Sequence, residues 1–155
     1  MKFSDFIVER AIIPELVSHD RDGVLRELVQ SLAEAGALPA AVVEEVVGAL
    51  VKREKNGSTG FGKGVAVPHV KHAKLKKMAG TIGRSTSGID FSALDHQPVY
   101  SVVLLLSPEN QPQQHLAAMN IIFTNLQKDT FRKFLRQSAT TEAIKDLLDE
   151  ADGGH

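Results

Sequence analysis

A chain of 155 residues with 43% apolar and 24% charged residues can bury a core of its own and fits one domain. Its net charge of −1 provides no whole-molecule field for nucleic acid, and without a cysteine it has no disulfide framework. Residues 1–20 mix acids and bases into the apolar positions, unlike a signal peptide. The longest nearly apolar run, Val99 to Leu106, falls far short of the roughly 20 residues that span a bilayer. A soluble, cytoplasmic chain that neither enters a membrane nor binds nucleic acid is expected.

In chain order, Ile12-Ile13 before Pro14 is a candidate first strand. Asp20 is a candidate N-cap. After it Val24, Leu25, Leu28, Val29, Leu32 and Ala33 recur at helical spacing, with Gly36 as the stop. Pro39 suits the first turn of a second helix, whose stripe is Val42, Val43, Val46, Val47, Leu50 and Val51. One further turn places Arg53 and Glu54 beside the buried stripe, aimed at the interior or at a cleft. Residues 55–64 read as a polar loop, Val65–Val67 as a short strand and Lys71–Lys77 as a basic surface loop. Strands are predicted at Ala79–Ser87 and Val99–Ser107, the second apolar on both faces as in a covered central strand. Pro112 opens a helix with His115, Leu116, Met119, Ile122, Phe123 and Leu126. Another follows at Phe131–Arg136, and Thr140 caps a last one carrying Ile144, Leu147 and Leu148. The tail from residue 151 to 155 is expected to fray. Strands interleaved with helices predict one α/β domain over residues 1–155, a mixed sheet of about five strands with helices on both faces.

The chemistry concentrates between Arg53 and Lys71. Glycines 57, 60, 62 and 64 let backbone N–H groups approach an anion. Arginine can grip a phosphate through two parallel bonds. His69, at a strand end, is a candidate nucleophile or proton carrier, and Pro68 before it keeps Val67 extended and removes a donor. Between residues 52 and 77, eight basic residues face the single acid Glu54, a local +7 that favours an anionic group or partner. Other sites fit less well. Gly57-x-x-x-x-Gly62-Lys63 starts like a P-loop, but Gly64 replaces the hydroxyl that would hold Mg²⁺ and the strand follows the loop rather than preceding it. His69 and His72 are three apart and could join His115 around zinc, yet Pro68 argues against the helix that spacing needs. No G-x-S-x-G is present.

In this order the residues resemble the enzyme IIA domains of the fructose/mannitol and nitrogen-regulatory class, part of the bacterial phosphoenolpyruvate-dependent phosphotransferase system. That signature reads here as Glu54, then Phe61-Gly62, then Val65-Ala66-Val67-Pro68-His69. Its upstream Arg-Glu matches Arg53-Glu54, its hydroxyl-bearing loop Ser58-Thr59 and its later His-Leu helix start His115-Leu116. The last position, usually Gly, Ala or Cys, is Val70, and a β-branched side chain there is expected to narrow a partner's approach. The resemblance implies that His69 takes a phosphoryl group from the phosphocarrier protein HPr or its nitrogen-type counterpart. His115 would hydrogen-bond the phosphoryl oxygens or His69, and Arg53 would neutralise their charge. Ser58, Thr59, Gly60 and Gly62 would form the phosphate cradle, with Glu54 and Pro68 in support. The group would pass to a sugar-specific enzyme IIB or serve a regulatory target, without cofactor or metal. A free-standing domain favours regulation. The alternative is a docking module that keeps the fold and is never phosphorylated.

Overall fold

A computed structural model describes residues 1–153. Two 3-10 turns, Phe3–Asp5 and Glu9–Ala11, precede helix α1 (Arg21–Glu34). The Asp20 carboxylate accepts the Gly23 N–H at 2.7 Å and satisfies one of the donors left open by the first helical turn. A 3-10 turn at Ala40–Val42 runs into α2 (Val43–Lys55). Glu44 and Glu45 in the first turn of α2, and Lys52, Arg53 and Lys55 in its last, complement the helix dipole.

Five strands follow: β1 (Gly60–Gly62), β2 (Val65–Ala66), β3 (His69–His72), β4 (Ala79–Ile89) and β5 (Val99–Pro108). Helices α3 (Pro112–Leu126), α4 (Asp129–Gln137) and α5 (Thr141–Ala151) complete the order. Pro112 opens α3, and the Thr140 hydroxyl accepts the Ala143 N–H at 3.0 Å to cap α5.

The sheet is mixed and centred on β5. β2 and β3 lie end to end along one edge of β5, both parallel to it: Val65 and Ala66 face Ser101 and Val102, and His69 to His72 face Leu105 to Pro108. β4 runs antiparallel along the other edge, and β1 pairs antiparallel with β2. Pro68 occupies the break between β2 and β3. It has no N–H to leave unpaired, and its carbonyl accepts the Leu105 N–H at 3.0 Å.

Alternation along β5 sorts the core into two layers. Val102, Leu104 and Leu106 pack with α1 and α2, whereas Val103 and Leu105 pack with α3, α4 and α5. The same alternation applied to β3 divides His69 and Lys71 from Val70 and His72. Val70 packs against the α1–α2 core, and His72 approaches Glu45 of α2 at 3.7 Å.

Several boundaries differ from the expectations above. Ile13 makes only an isolated parallel bridge to Gly83, one of two single bridges to β4, because the Glu9–Ala11 turn and Pro14 leave no extended run. The 55–64 loop contains β1, and the basic stretch after His69 starts inside β3. The tail expected to fray includes Ala151, which ends α5, and Asp152, whose carboxylate accepts the N–H groups of Phe3 and Ser4 at 2.7 and 3.0 Å. Residues 154–155 lie outside the described residues.

Candidate functional site

His69 begins β3 where Pro68 ends the gap after β2, and its ring faces the α3 layer. Nδ1 of His69 lies 2.7 Å from the Val67 carbonyl. A carbonyl can only accept, so Nδ1 carries the proton, and the neutral ring keeps its lone pair on Nε2. The sequence alone left the choice of nitrogen open.

His115 meets it from the first turn of α3. The two ring centroids are 5.6 Å apart, tilted by 45°. His115 is only 8% exposed, and its Nδ1 lies 2.6 Å from the Ser107 hydroxyl, itself fully buried at the end of β5. Burial first, then the charges of His69 and Lys71, push the His115 pKa down to about 4. Its imidazole is therefore neutral near pH 7. A neutral ring so placed can hydrogen-bond a group on His69 without adding a buried charge of its own.

The loop before His69 is held from within. Glu54 is buried, and its carboxylate accepts the Thr59 N–H at 2.9 Å and the Thr59 hydroxyl. The Ser58 hydroxyl accepts the Gly60 N–H at 3.0 Å. Arg53 Nη1 donates to the Gly57 carbonyl at 2.8 Å, and Phe61 of β1 packs on Phe123 of α3 with centroids 5.3 Å apart. The helical stripe thus points Glu54 inward as expected. One residue earlier, Arg53 is exposed, since a 100° step carries it off the buried face.

This arrangement alters the expected cradle. Both donors of Thr59 are taken by Glu54, and the Gly60 N–H is taken by Ser58. A Cβ on Gly60 would lie 2.9 Å from the Ala93 side chain, and one on Gly62 would lie 3.3 Å from the Asp95 carboxylate. Close packing and the left-handed backbone of Gly62, φ 110°, account for these glycines. The Asp95 carboxylate beside Gly62 disfavours a second anion there.

Three groups were missed from sequence. The Val67 carbonyl has no sequence signal. Ser107 sits eight residues before His115, in no motif. Lys71 was read as part of a surface loop, although position i+2 after His69 shares its face as soon as β3 is recognised. His72, weighed as a zinc partner of His69, falls on the opposite face of β3.

Comparison with known proteins agrees with this fold. Residues 5–151 match the family model described as phosphoenolpyruvate-dependent sugar phosphotransferase system, EIIA 2. The chain is 38% identical to a nitrogen regulatory protein of Bradyrhizobium diazoefficiens, over 96% of this chain and 95% of the relative. It is 32% identical to the fructose-specific EIIABC component of Bacillus subtilis, over 98% of this chain but only 24% of that longer protein. The crystal structure of nitrogen regulatory protein IIA-Ntr from Neisseria meningitidis superposes with a TM-score of 0.84 at 27% identity, covering 94% of this chain and 98% of that one. The chain belongs to the EIIA 2 family of the phosphoenolpyruvate-dependent phosphotransferase system.

Proposed function

We propose that the chain works as a phosphoryl carrier with Nε2 of His69 as the acceptor. The observation that carries this reading is the 2.7 Å contact of Nδ1 with the Val67 carbonyl, which leaves Nε2 as the basic nitrogen. The incoming donor is a phosphohistidine of HPr or its nitrogen-type counterpart. The Nε2 lone pair attacks phosphorus, the N–P bond to the donor breaks and its electron pair returns to the donor imidazole. Phosphoryl transfer depends chiefly on positioning and charge stabilisation, so no metal is required for the exchange.

His115 assists as a neutral donor. When the Ser107 hydroxyl donates to Nδ1 of His115, the remaining ring proton sits on Nε2 and can bond a phosphoryl oxygen. Arg53, exposed beside the loop, and Lys71, charged and close enough to depress His115, offset the negative charge of the phosphorylated state. Ser58, Thr59, Gly60 and Gly62 hold the loop rather than donate, with Glu54 as the internal tie. Leu116, 62% exposed next to His115, supplies an apolar contact for the partner's docking face.

Similarity to a nitrogen regulatory protein along nearly its whole length favours a regulatory target over a sugar-specific enzyme IIB as the destination, in the cytoplasm. Among the described residues no helix is long and apolar enough to cross a membrane. The test is intact mass after incubation with phosphoenolpyruvate, enzyme I and HPr. One acid-labile phosphoryl adduct on the parent and none on His69→Ala is expected. Failure to form an adduct with either HPr type would favour the docking module.

A further inference from the structure

A second concentration of positive charge lies outside this site. A cavity of about 610 Å³ opens between the β1–β2 turn, β4 and α4. Its lining includes Lys63, Arg84, Arg132, Lys133 and Arg136, with Asp129 as the one acid. Five cations against one carboxylate stand out in a chain of net charge −1. None of these residues belongs to the His69 site. The α4 wall follows the far end of α3, and Phe123 on α3 is already about 12 Å along the helix from His115.

Part of this charge has a structural account. Arg132 pairs with Asp129 and donates through Nη1 to the Leu126 carbonyl at 2.7 Å. The rest does not. Arg84 has a side chain only 9% exposed. Its Nε donates to the Arg136 carbonyl at 2.6 Å, and its Nη1 serves the Pro14 carbonyl at 3.1 Å, Glu15 and Thr86. Its Nη2 has no acceptor among the described residues. The Arg136 guanidinium lies 3.5 Å over the Tyr100 ring and meets no carboxylate among the described residues. Lys63 and Lys133 are exposed and unpaired among the same residues. Three whole cations and one unpartnered guanidinium N–H₂ thus converge on one concave space, an arrangement that repels itself when empty.

We propose that this cavity binds a small molecule carrying two linked phosphate groups, at a site separate from His69. Its volume falls within the range of small-molecule sites. Arg84 offers only its Nη2, since its Nε and Nη1 are committed to the fold, whereas the Arg136 guanidinium, with no carboxylate partner among the described residues, can match phosphate geometry with two parallel bonds. The cations stand on separate walls, Lys63 on the β1–β2 turn and Lys133 with Arg136 on α4. One phosphate bound at Arg136 leaves Lys63 and Lys133 for a second.

The probe is inorganic pyrophosphate, titrated in about 150 mM KCl to suppress screening-sensitive surface binding and followed by ¹H–¹⁵N amide shifts. Two variants accompany the parent. His69→Gln removes the phosphoryl acceptor, and Lys63→Gly/Lys133→Ala removes two cations at exposed positions. Glycine suits the left-handed Lys63 backbone, φ 62°, and alanine suits the helix. Saturable shifts at Lys63, Thr86 and Lys133 are expected, unchanged in His69→Gln and weakened by about tenfold or more in the double variant. Absence of saturation, shifts confined to the His69 region, or equal affinity in the double variant would overturn the proposal. The His69→Gln arm also separates the two sites, since it abolishes phosphorylation while leaving pyrophosphate binding intact.

Discussion

Replacing His115 by glutamine should flatten the acid limb of the stability curve. In the unfolded chain this histidine titrates near its ordinary value of 6.5, and in the fold it is held to about 4. Between those values the unfolded chain binds a proton that the folded chain refuses. Stability is therefore complete above about pH 7 and lost as the pH falls from about 6.5 toward about 4. For one such group the loss is about 1.4 kcal/mol at pH 5.5 and about 2.5 kcal/mol at pH 4.5. Glutamine can still hydrogen-bond the Ser107 hydroxyl but does not titrate. The assay is urea unfolding of parent and His115→Gln at several pH values between about 4.5 and 8. Contributions from the other histidines and from the carboxylates cancel in the difference between the two proteins. The parent should lose about 2.5 kcal/mol more than the variant across that interval. Parallel curves would refute the reasoning, because they would mean that His115 is protonated as easily in the fold as out of it.

Other substitutions test the supports of the site. Glu54→Gln keeps the shape of the side chain but sets an NH₂ group against one of the Thr59 donors, and should cost about 1–3 kcal/mol in urea unfolding. Val70→Gly should destabilise by about 2 kcal/mol while leaving the rate of phosphoryl acceptance within about twofold, since Val70 faces the α1–α2 core and not the partner; a clear gain in single-turnover rate would contradict that placement. Thr81 Oγ1 is buried with no hydrogen-bond partner among the described residues, so Thr81→Val should raise the thermal midpoint, with a gain of about 1 kcal/mol.

The helices were legible where periodicity and caps coincide. Asp20 and Thr140 both cap as expected, and Pro112 starts α3. β5 was legible because its apolar residues fill both faces, which only a central strand requires. The short elements were not. β1 holds two glycines, and β3 reads as a histidine–lysine stretch, because strands three or four residues long carry too little periodicity to separate from a loop. That failure propagated into chemistry. Without β3 as a strand, Val70 looked like an obstacle beside His69, whereas alternation sends Val70 into the opposite core and sets Lys71, exposed as expected, on the His115 side. The glycine-rich loop invited a phosphate cradle, yet its donors close on Glu54 and Ser58, partners that only folding brings into register. The Val67 carbonyl decides which nitrogen of His69 carries the proton and Ser107 orients the His115 ring, and neither leaves a mark in the local sequence.

The central claim is that Nε2 of His69 receives the phosphoryl group, and long-range ¹H–¹⁵N correlation of the His69 imidazole before and after phosphorylation tests it most directly. The unmodified ring should show a protonated Nδ1 and a bare Nε2, and the phosphorylated protein should show the ¹⁵N shift and phosphorus coupling at Nε2 with the Nδ1 proton still held toward the Val67 carbonyl. Coupling at Nδ1, or a phosphoryl group found on another residue, would contradict the account.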